Sequence, residues 1–383
     1  MKYKELYNEY NSQLSKKASY TKTLLGLKEG YISTKTIYGK KYFYLQRKVD
    51  GKIISEYIKE SELLRFKSDL KRRDEIKVLI QSADEQLDKL EAAAKMLDNS
   101  LYHKIIILKR CSQMDALPIE TRWKALEFGN AMTALEGIPA SESTEKTLSQ
   151  WSTGQHSFKD GFLQILIECK NSDNFEGDIT KFTLPTVYAQ KFTKFNISTI
   201  CEIHRIIFDS LYEWAGEFRT IPIAKREDIL GGDTVRYAYP AEIKKELEDT
   251  VKEISKLKKT ENKKELVFKI VRIIAKLWQS HPFMDGNTRT IISFAILLAE
   301  HLGLEINHAL FEKHAAYVRN SLVWAAQGMY SKFEYLENIF YDAAGINCCD
   351  AGIDTASQND YIKIGDYNVA DYKETPHVYL EEE

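Results

Sequence analysis

The sequence predicts a mainly α protein with a small β element near its N-terminus. Three observations carry this. From Ser61 to about Lys109, Leu64, Leu70, Ile76, Leu79, Ile80, Leu87, Leu90 and Met96 recur between charged residues, the spacing of long amphipathic helices. Two later stretches, ELVFKIVRIIAKLWQS and RTIISFAILLAEHLGL, are apolar nearly all round and read as buried helices. Runs that read as strands are limited to two segments.

In chain order, residues 1–25 read as a polar helix. YISTKTIYGKKYFYLQRKVDGKIISEYI is rich in Tyr, Ile, Val and Thr, with turn signals at Gly39 and at Asp50-Gly51. The second is a strong two-residue hairpin signal, so a two- or three-stranded sheet element is expected. The pattern that follows suits one or two long helices paired as a coiled coil, and DALP at Pro118 marks a boundary. IETRWKALEFGNAMTALEGI is a helix stopping at Gly137, with Pro139 just beyond. SESTEKTLSQW starts another, capped by Ser143 or Thr144. ISTICEIHRIIFDSLYEWAGEFRTIPI is amphipathic and gives way at Gly216 to β-prone residues. Thr220 to Tyr239 reads as a hairpin or flap turning at Gly231-Gly232-Asp233. After Asn347 the polar, acidic composition predicts a flexible tail. The implied division is 1–115, 116–165, 166–345 and 346–383.

With 383 residues, 44% hydrophobic and 29% charged, the chain has room for one large core and one or two smaller domains. No apolar run is long enough to span a bilayer, and the charged N-terminus lacks the apolar middle of a signal peptide. The five cysteines, Cys111, Cys169, Cys201, Cys348 and Cys349, are odd in number and fit no zinc spacing. They predict a reducing compartment, the cytoplasm, with no disulfide framework. The net charge of −2 hides an asymmetry: residues 1–110 hold 24 Lys and Arg against 15 Asp and Glu. A solvated helical face is the first reading of that excess; a nucleic acid or acidic partner is the second.

The chemistry concentrates in HPFMDGNTRT, His281 to Thr290, between the two apolar helices. Pro282 fixes the backbone after His281, and Phe283 is a plug for the core. Gly286 permits a backbone shape other residues resist. The next helix starts near Asn287, and a helix start entered through glycine is an anion site. Arg289, in the first turn, is poorly matched to the helix dipole unless an anion lies beside it. Asp285 is a hard oxygen ligand suited to Mg²⁺ held together with phosphate oxygens. His281 is then a general base beside a polyphosphate.

HPFMDGNTR resembles the signature of the Fic (filamentation induced by cyclic AMP) family, H-P-F-x-D/E-G-N-G-R, at His281, Pro282, Phe283, Asp285, Gly286, Asn287 and Arg289. LYEWAGEFRT resembles the segment leading into that family's flap, and YVRNSLVWAAQGMYSKFEYLENIF its closing helices. The resemblance covers roughly Phe158 to Tyr341. It implies an all-helical core with a β-hairpin flap, and transfer of AMP from ATP, with Mg²⁺, to a Ser, Thr or Tyr hydroxyl of a target protein. It makes His281 the base and Asp285 the metal carboxylate. Gly286, Asn287, Thr288 and Arg289 become the nucleotide- and phosphate-binding residues, and the flap registers the target by strand-like pairing. Two positions depart from the pattern. Thr288 stands where many members have a second glycine, and Ile292 where many have a second arginine. The second departure leaves transfer of phosphate, UMP or phosphocholine open.

NAMTALEGIPASESTEKTLSQWSTGQHS resembles the small antitoxin module that partners some Fic toxins. The inhibitory pattern there is Ser/Thr-x-x-x-Glu-Gly/Asn, matched here at Glu136 and Gly137, with Met132 in the first place. In the family this glutamate binds the second arginine. With Ile292 in that place, Glu136 is expected to restrain the site in cis through another cation, Arg289. The alternative function is a nucleotide-sensing regulator that binds nucleic acid through residues 1–110. The long N-terminal helices admit a homodimer, and the tail DYNVADYKETPHVY offers tyrosines for self-modification.

Overall fold

The computed structural model describes residues 3–49, 52–169, 172–259 and 262–346. The turn expected at Asp50-Gly51, Cys348, Cys349 and the tail lie outside the described residues. The chain divides into two compact units between Leu117 and Pro118. Among the described residues no helix is long and apolar enough to cross a membrane.

The first unit contains α1 (Lys4–Leu25), β1 (Tyr31–Ile37), β2 (Lys40–Val49), β3 (Lys52–Ile58), α2 (Leu63–Leu97) and α3 (Asn99–Asp115). The long helical stretch breaks once, at Asp98. This residue is extended, and its carboxylate accepts the Leu101 N–H at 2.7 Å, starting α3 as an N-cap. α1 packs on α2 and α3, and α2 on α3, so three helices share the apolar seam. The antiparallel sheet runs β1-β2-β3. Its first turn is Tyr38-Gly39, both at positive φ (49° and 78°), between the paired Ile37 and Lys40. That is the two-residue turn whose twist suits a hairpin. One face of the sheet buries Leu45 and Ile58 against Phe66.

The second unit is helical: α4 (Ile119–Ala134), α5 (Glu142–Ser152), α6 (Phe158–Glu168), α7 (Phe175–Ala189), α8 (Ile197–Phe208), α9 (Pro240–Ile254), α10 (Lys263–Ser280), α11 (Asn287–His301), α12 (His308–Lys313), α13 (Ala315–Ala325) and α14 (Glu334–Ala343). α11 is the axis of the core. Every residue from Asn287 to Ala299 is buried, as its all-round apolar sequence requires. Phe128, Met132 and Leu135, in and just after α4, lie in the same core as residues of α8, α10 and α11. Ile292, fully buried, contributes about 1.5–3 kcal/mol by leaving water.

Two local expectations are corrected. Helix α5 is capped by Ser141, not Ser143 or Thr144: its Oγ accepts the Thr144 N–H while donating to Asp178 at 2.7 Å. Asp178 fixes the serine, so the helix starts there. The 220–239 segment does turn at Gly231 and Gly232, at φ 67° and 90°. It forms a single antiparallel bridge, Glu227 with Asp233, instead of a ladder. The apolar residues that read as β-prone serve the core: Ile223, Val235 and Tyr237 are buried in it.

Candidate active site

The site begins where α10 ends. His281 caps that helix in the left-handed conformation, at φ 43°. A non-glycine residue there is strained, and Arg219 holds it. The buried guanidinium donates to the His281 carbonyl at 2.7 Å, to the Ile221 carbonyl at 2.9 Å and to the Ala238 carbonyl. The Arg219 main-chain N–H donates to Pro282 O at 2.9 Å. The imidazole Nδ1 lies 3.2 Å from the Trp278 carbonyl. A carbonyl only accepts, which puts the proton on Nδ1 and makes Nε2 the basic nitrogen. The Tyr237 ring packs on the imidazole at 4.1 Å between centroids.

The loop that follows is clamped from both sides. Phe283 is fully buried and stacks on His204 at 3.8 Å. The Asn287 side chain bonds the Phe283 backbone twice, accepting its N–H at 2.9 Å and donating to its carbonyl at 2.8 Å. His204, from α8, accepts the Gly216 N–H on Nδ1 at 2.8 Å and donates from Nε2 to the Asp285 carbonyl at 3.0 Å. Burial, aided by the charges of Arg289 and Arg205, outweighs that carbonyl and lowers the His204 pKa to about 3. The ring therefore stays neutral and rigidly oriented. Gly286 enters the helix at φ 71°, and a Cβ there would lie 2.2 Å from the Phe208 ring, so only glycine fits.

At the start of α11, Gly286 offers no side chain to cap the first N–H groups. The first main-chain bond of the helix is Thr290 N–H to Gly286 O at 3.1 Å, and the N–H groups from Asn287 to Arg289 are those a helix start leaves for an outside acceptor. Arg289 is 1% exposed, yet its Nε and Nη1 have no hydrogen-bond partner among the described residues. Burial would pull its pKa down, but Glu136, Glu176 and Asp285 outweigh this and raise it. The guanidinium also lies over the Phe208 ring at 4.7 Å. Thr288 is turned inward, its hydroxyl accepting the Trp278 indole N–H at 3.2 Å, so only its main chain faces the helix start. The Asp285 carboxylate accepts the Gly286 N–H and is half-buried. Among the described residues no three His, Cys, Asp or Glu side chains cluster as a metal cage. A metal here would rest on Asp285 and ligands brought by a substrate, which is how Mg²⁺ usually binds with phosphates.

Residues 194–299 match the model of the Fic/DOC family. This stretch is a Fic/DOC domain. Residues 3–68 match a second family, a domain of unknown function named DUF6788. The chain is 30% identical over 113 residues to a probable protein adenylyltransferase, y4lH, of Sinorhizobium fredii, covering 29% of this chain and 55% of that protein. It is 29% identical over 159 residues to a protein adenylyltransferase of Bartonella henselae, covering 39% of this chain and 28% of that protein. The chain thus spans about half the length of the first curated relative and less of the second. Among solved structures it is similar to a Fic domain containing signaling protein of Bacteroides thetaiotaomicron, with 20% identity, a TM-score of 0.36, and 63% and 97% of the two chains covered. It is also similar to an ADP-bound N-terminal Fic domain of Bartonella quintana, with 22% identity, a TM-score of 0.36, and 44% and 82% covered.

Two of the three carboxylates that act on Arg289, Glu136 and Glu176, come from outside residues 194–299. Arg289 Nη2 bonds Glu176 at 2.7 Å, from the first turn of α7. Glu176 also accepts the Tyr212 hydroxyl at 3.3 Å. Glu136 does not take Arg289 as its ion-pair partner, correcting the expectation. It pairs with Arg319 of α13 at 3.3 Å, and its field still reaches Arg289. The reason is geometric: Ile292 is buried in the core, and the cation beside the end of α4 comes from α13 instead. Arg319, 2% exposed, also lies 3.8 Å from the buried Glu227, which the Tyr237 hydroxyl contacts at 3.4 Å. Sequence reasoning missed Glu176, Arg319, Glu227, Arg219 and His204. A signal existed for one: Ser172-Asp173-Asn174-Phe175-Glu176-Gly177 fits the inhibitory pattern at every fixed position.

Proposed function

We propose that this chain is a protein adenylyltransferase that moves AMP from ATP to a Ser, Thr or Tyr hydroxyl of a target protein. The observation that carries the reading is the start of α11, where a buried arginine with two unpartnered nitrogens adjoins main-chain donors. A polyphosphate supplies the acceptors that both lack. The adenylyltransferase names of the two relatives support the choice of AMP.

In this reading the target hydroxyl gives its proton to His281 Nε2 as its oxygen bonds the α-phosphorus. The bond from that phosphorus to the bridging oxygen breaks, and pyrophosphate leaves with the electron pair. Arg289 and the main-chain donors of Asn287 and Thr288 hold the phosphates, and Gly286, whose own N–H is given to Asp285, lets the chain turn into them. Asn287 and His204 act through the loop, keeping it in shape. Asp285 would hold Mg²⁺, which supplies positive charge to the phosphate oxygens when bound. Glu176 and Glu136 restrain the site. A phosphate must displace Glu176 to use all of Arg289, and both carboxylates repel it within a low-dielectric pocket.

Intact mass after incubation with ATP and Mg²⁺ tests this on wild type, Glu136→Gly and His281→Ala. The expected result is addition of AMP by wild type, more by Glu136→Gly, and none by His281→Ala, since loss of a general base costs about 10²–10⁴ in rate. No addition by Glu136→Gly, or addition that survives His281→Ala, overturns the reading. A different added mass replaces AMP as the transferred group.

A further inference from the structure

The first unit carries a surface outside the residues of the candidate site. Alternation along the strands divides the three-stranded sheet into two faces. One packs Leu45 and Ile58 against Phe66. The other carries Tyr31, Tyr42, Tyr44 and Tyr57, with Lys35, Lys40 and Lys48, as the register places them. Tyr57 lies 5.7 Å from Tyr44 and 6.3 Å from Tyr42 between ring centroids, so three rings form a continuous patch. Lys35 Nζ sits 5.0 Å above the Tyr44 ring. Tyr31 and Tyr57 are 56% and 53% exposed. Among the described residues this face has no Asp or Glu. The one described acid of the strands, Glu56, points to the other face and pairs with Lys28 at 3.4 Å.

We propose that this face binds single-stranded nucleic acid, with bases stacked on the tyrosines and phosphates paired with the lysines. Strand propensity explains tyrosine in a sheet, but it does not explain a face with four tyrosines, three lysines and no carboxylate. Every base offers a π-face to an exposed ring, and a strand's phosphates need cations at its flanks. A duplex hides its bases from such a flat platform, and an acidic protein would leave the exposed rings without a stacking partner. The proposal is independent of the adenylyltransferase reading.

Fluorescence anisotropy of the whole chain tests it, with labelled oligothymidylate and oligouridylate of about 20 nucleotides and a duplex of the same length. The expected result is binding of either single strand at low salt, weakening linearly in log affinity against log salt. Tyr31→Ala with Tyr57→Ala should lower affinity about tenfold or more at unchanged circular dichroism, since both rings are exposed. Lys35→Glu with Lys48→Glu should lower it further than Lys67→Glu with Lys71→Glu, an equal charge change on α2. Absence of binding at low salt, tighter binding of the duplex, wild-type affinity in the tyrosine variant, or equal loss from the two lysine variants overturns the proposal.

Discussion

Residues 281–289 and residues 220–239 meet at one imidazole and are held in opposite ways. The first run is fixed by side chains from elsewhere: Arg219 on His281, His204 on Asp285, the Phe208 ring against Gly286, and Asn287 on Phe283. The second is tied at its ends to the core, through Ile223, Val235 and Tyr237. Its middle folds back on itself, through the Glu227–Asp233 bridge and the Lys225 N–H to Thr234 Oγ1 bond at 3.2 Å, and the buried Glu227 side chain reaches Arg319 of α13. Proton transfer to a phosphate-bound reaction needs atoms held to a fraction of an ångström. Pairing with an incoming chain needs backbone groups not already used. The contrast is what the proposed division of labour requires.

The harshest way to break the rigid side is Gly286→Ala. The new Cβ would overlap the Phe208 ring at 2.2 Å and sit at φ 71°. Left-handed strain and overpacking together predict a loss of about 3 kcal/mol or more. The urea midpoint reads it, and adding Phe208→Leu should recover part of it. A midpoint equal to wild type would show that the loop yields.

The next effect is a pH dependence set by His204. Its imidazole titrates at about 3 in the fold against 6.5 for the free group. Below pH 6.5 the unfolded chain takes up a proton that the native ring refuses. Stability is therefore complete above that pH and falls as pH drops toward 3, by about 1.4 kcal/mol per pH unit. His204→Gln keeps a donor for Asp285 and cannot titrate. The stability difference between the two proteins should shrink on acidification, and parallel curves would remove His204 as the source.

Glu176→Gln then separates the two carboxylates proposed to restrain the site. The ion pair it breaks, a charge-assisted bond to Arg289, corresponds to about a tenfold gain in nucleotide addition. Glu136→Gly acts through Arg319 and should raise the rate by a different amount, with the double variant highest. Labelled-nucleotide incorporation measures all three. A Glu176→Gln protein slower than wild type would mean the carboxylate supports Arg289 instead of blocking it.

The rigid side was legible where its chemistry is contiguous. The apolar helices on either side and the charged, glycine-containing turn between them told of a loop pressed on a core, and Phe283 and Gly286 sit as that pattern implies. What supports the loop was not legible. His204, Arg219 and Glu176 lie 81, 62 and 113 residues before the Asp285, His281 and Arg289 they touch, and they look, in sequence, like ordinary members of amphipathic or β-prone runs. Only folding brings them to one place. The pairing of Glu136 was misjudged for the same reason: the substitution at Ile292 was visible, and the compensating Arg319 on another helix was not. In the 220–239 segment, residues such as Val235 and Tyr237 satisfy a strand pattern and a core anchor equally well, and packing chose the anchor.

The mildest substitution tests the comparison most sharply. Gly231 has the same left-handed backbone as Gly286, at φ 67°, but a Cβ there would meet nothing within 4 Å. Gly231→Ala therefore keeps the strain and removes the crowding, an expected local cost of about 1 kcal/mol. Because Asp228, Gly231 and Asp233 at the turn are exposed, the turn should open without the core. The urea midpoint should then stay near wild type, while amide exchange across residues 227–233 rises about fivefold. A Gly231→Ala midpoint that falls as far as that of Gly286→Ala would make both runs parts of one cooperative core. The segment would then be a second wall of the site, and a target chain could pair with it only by straining the loop that holds His281.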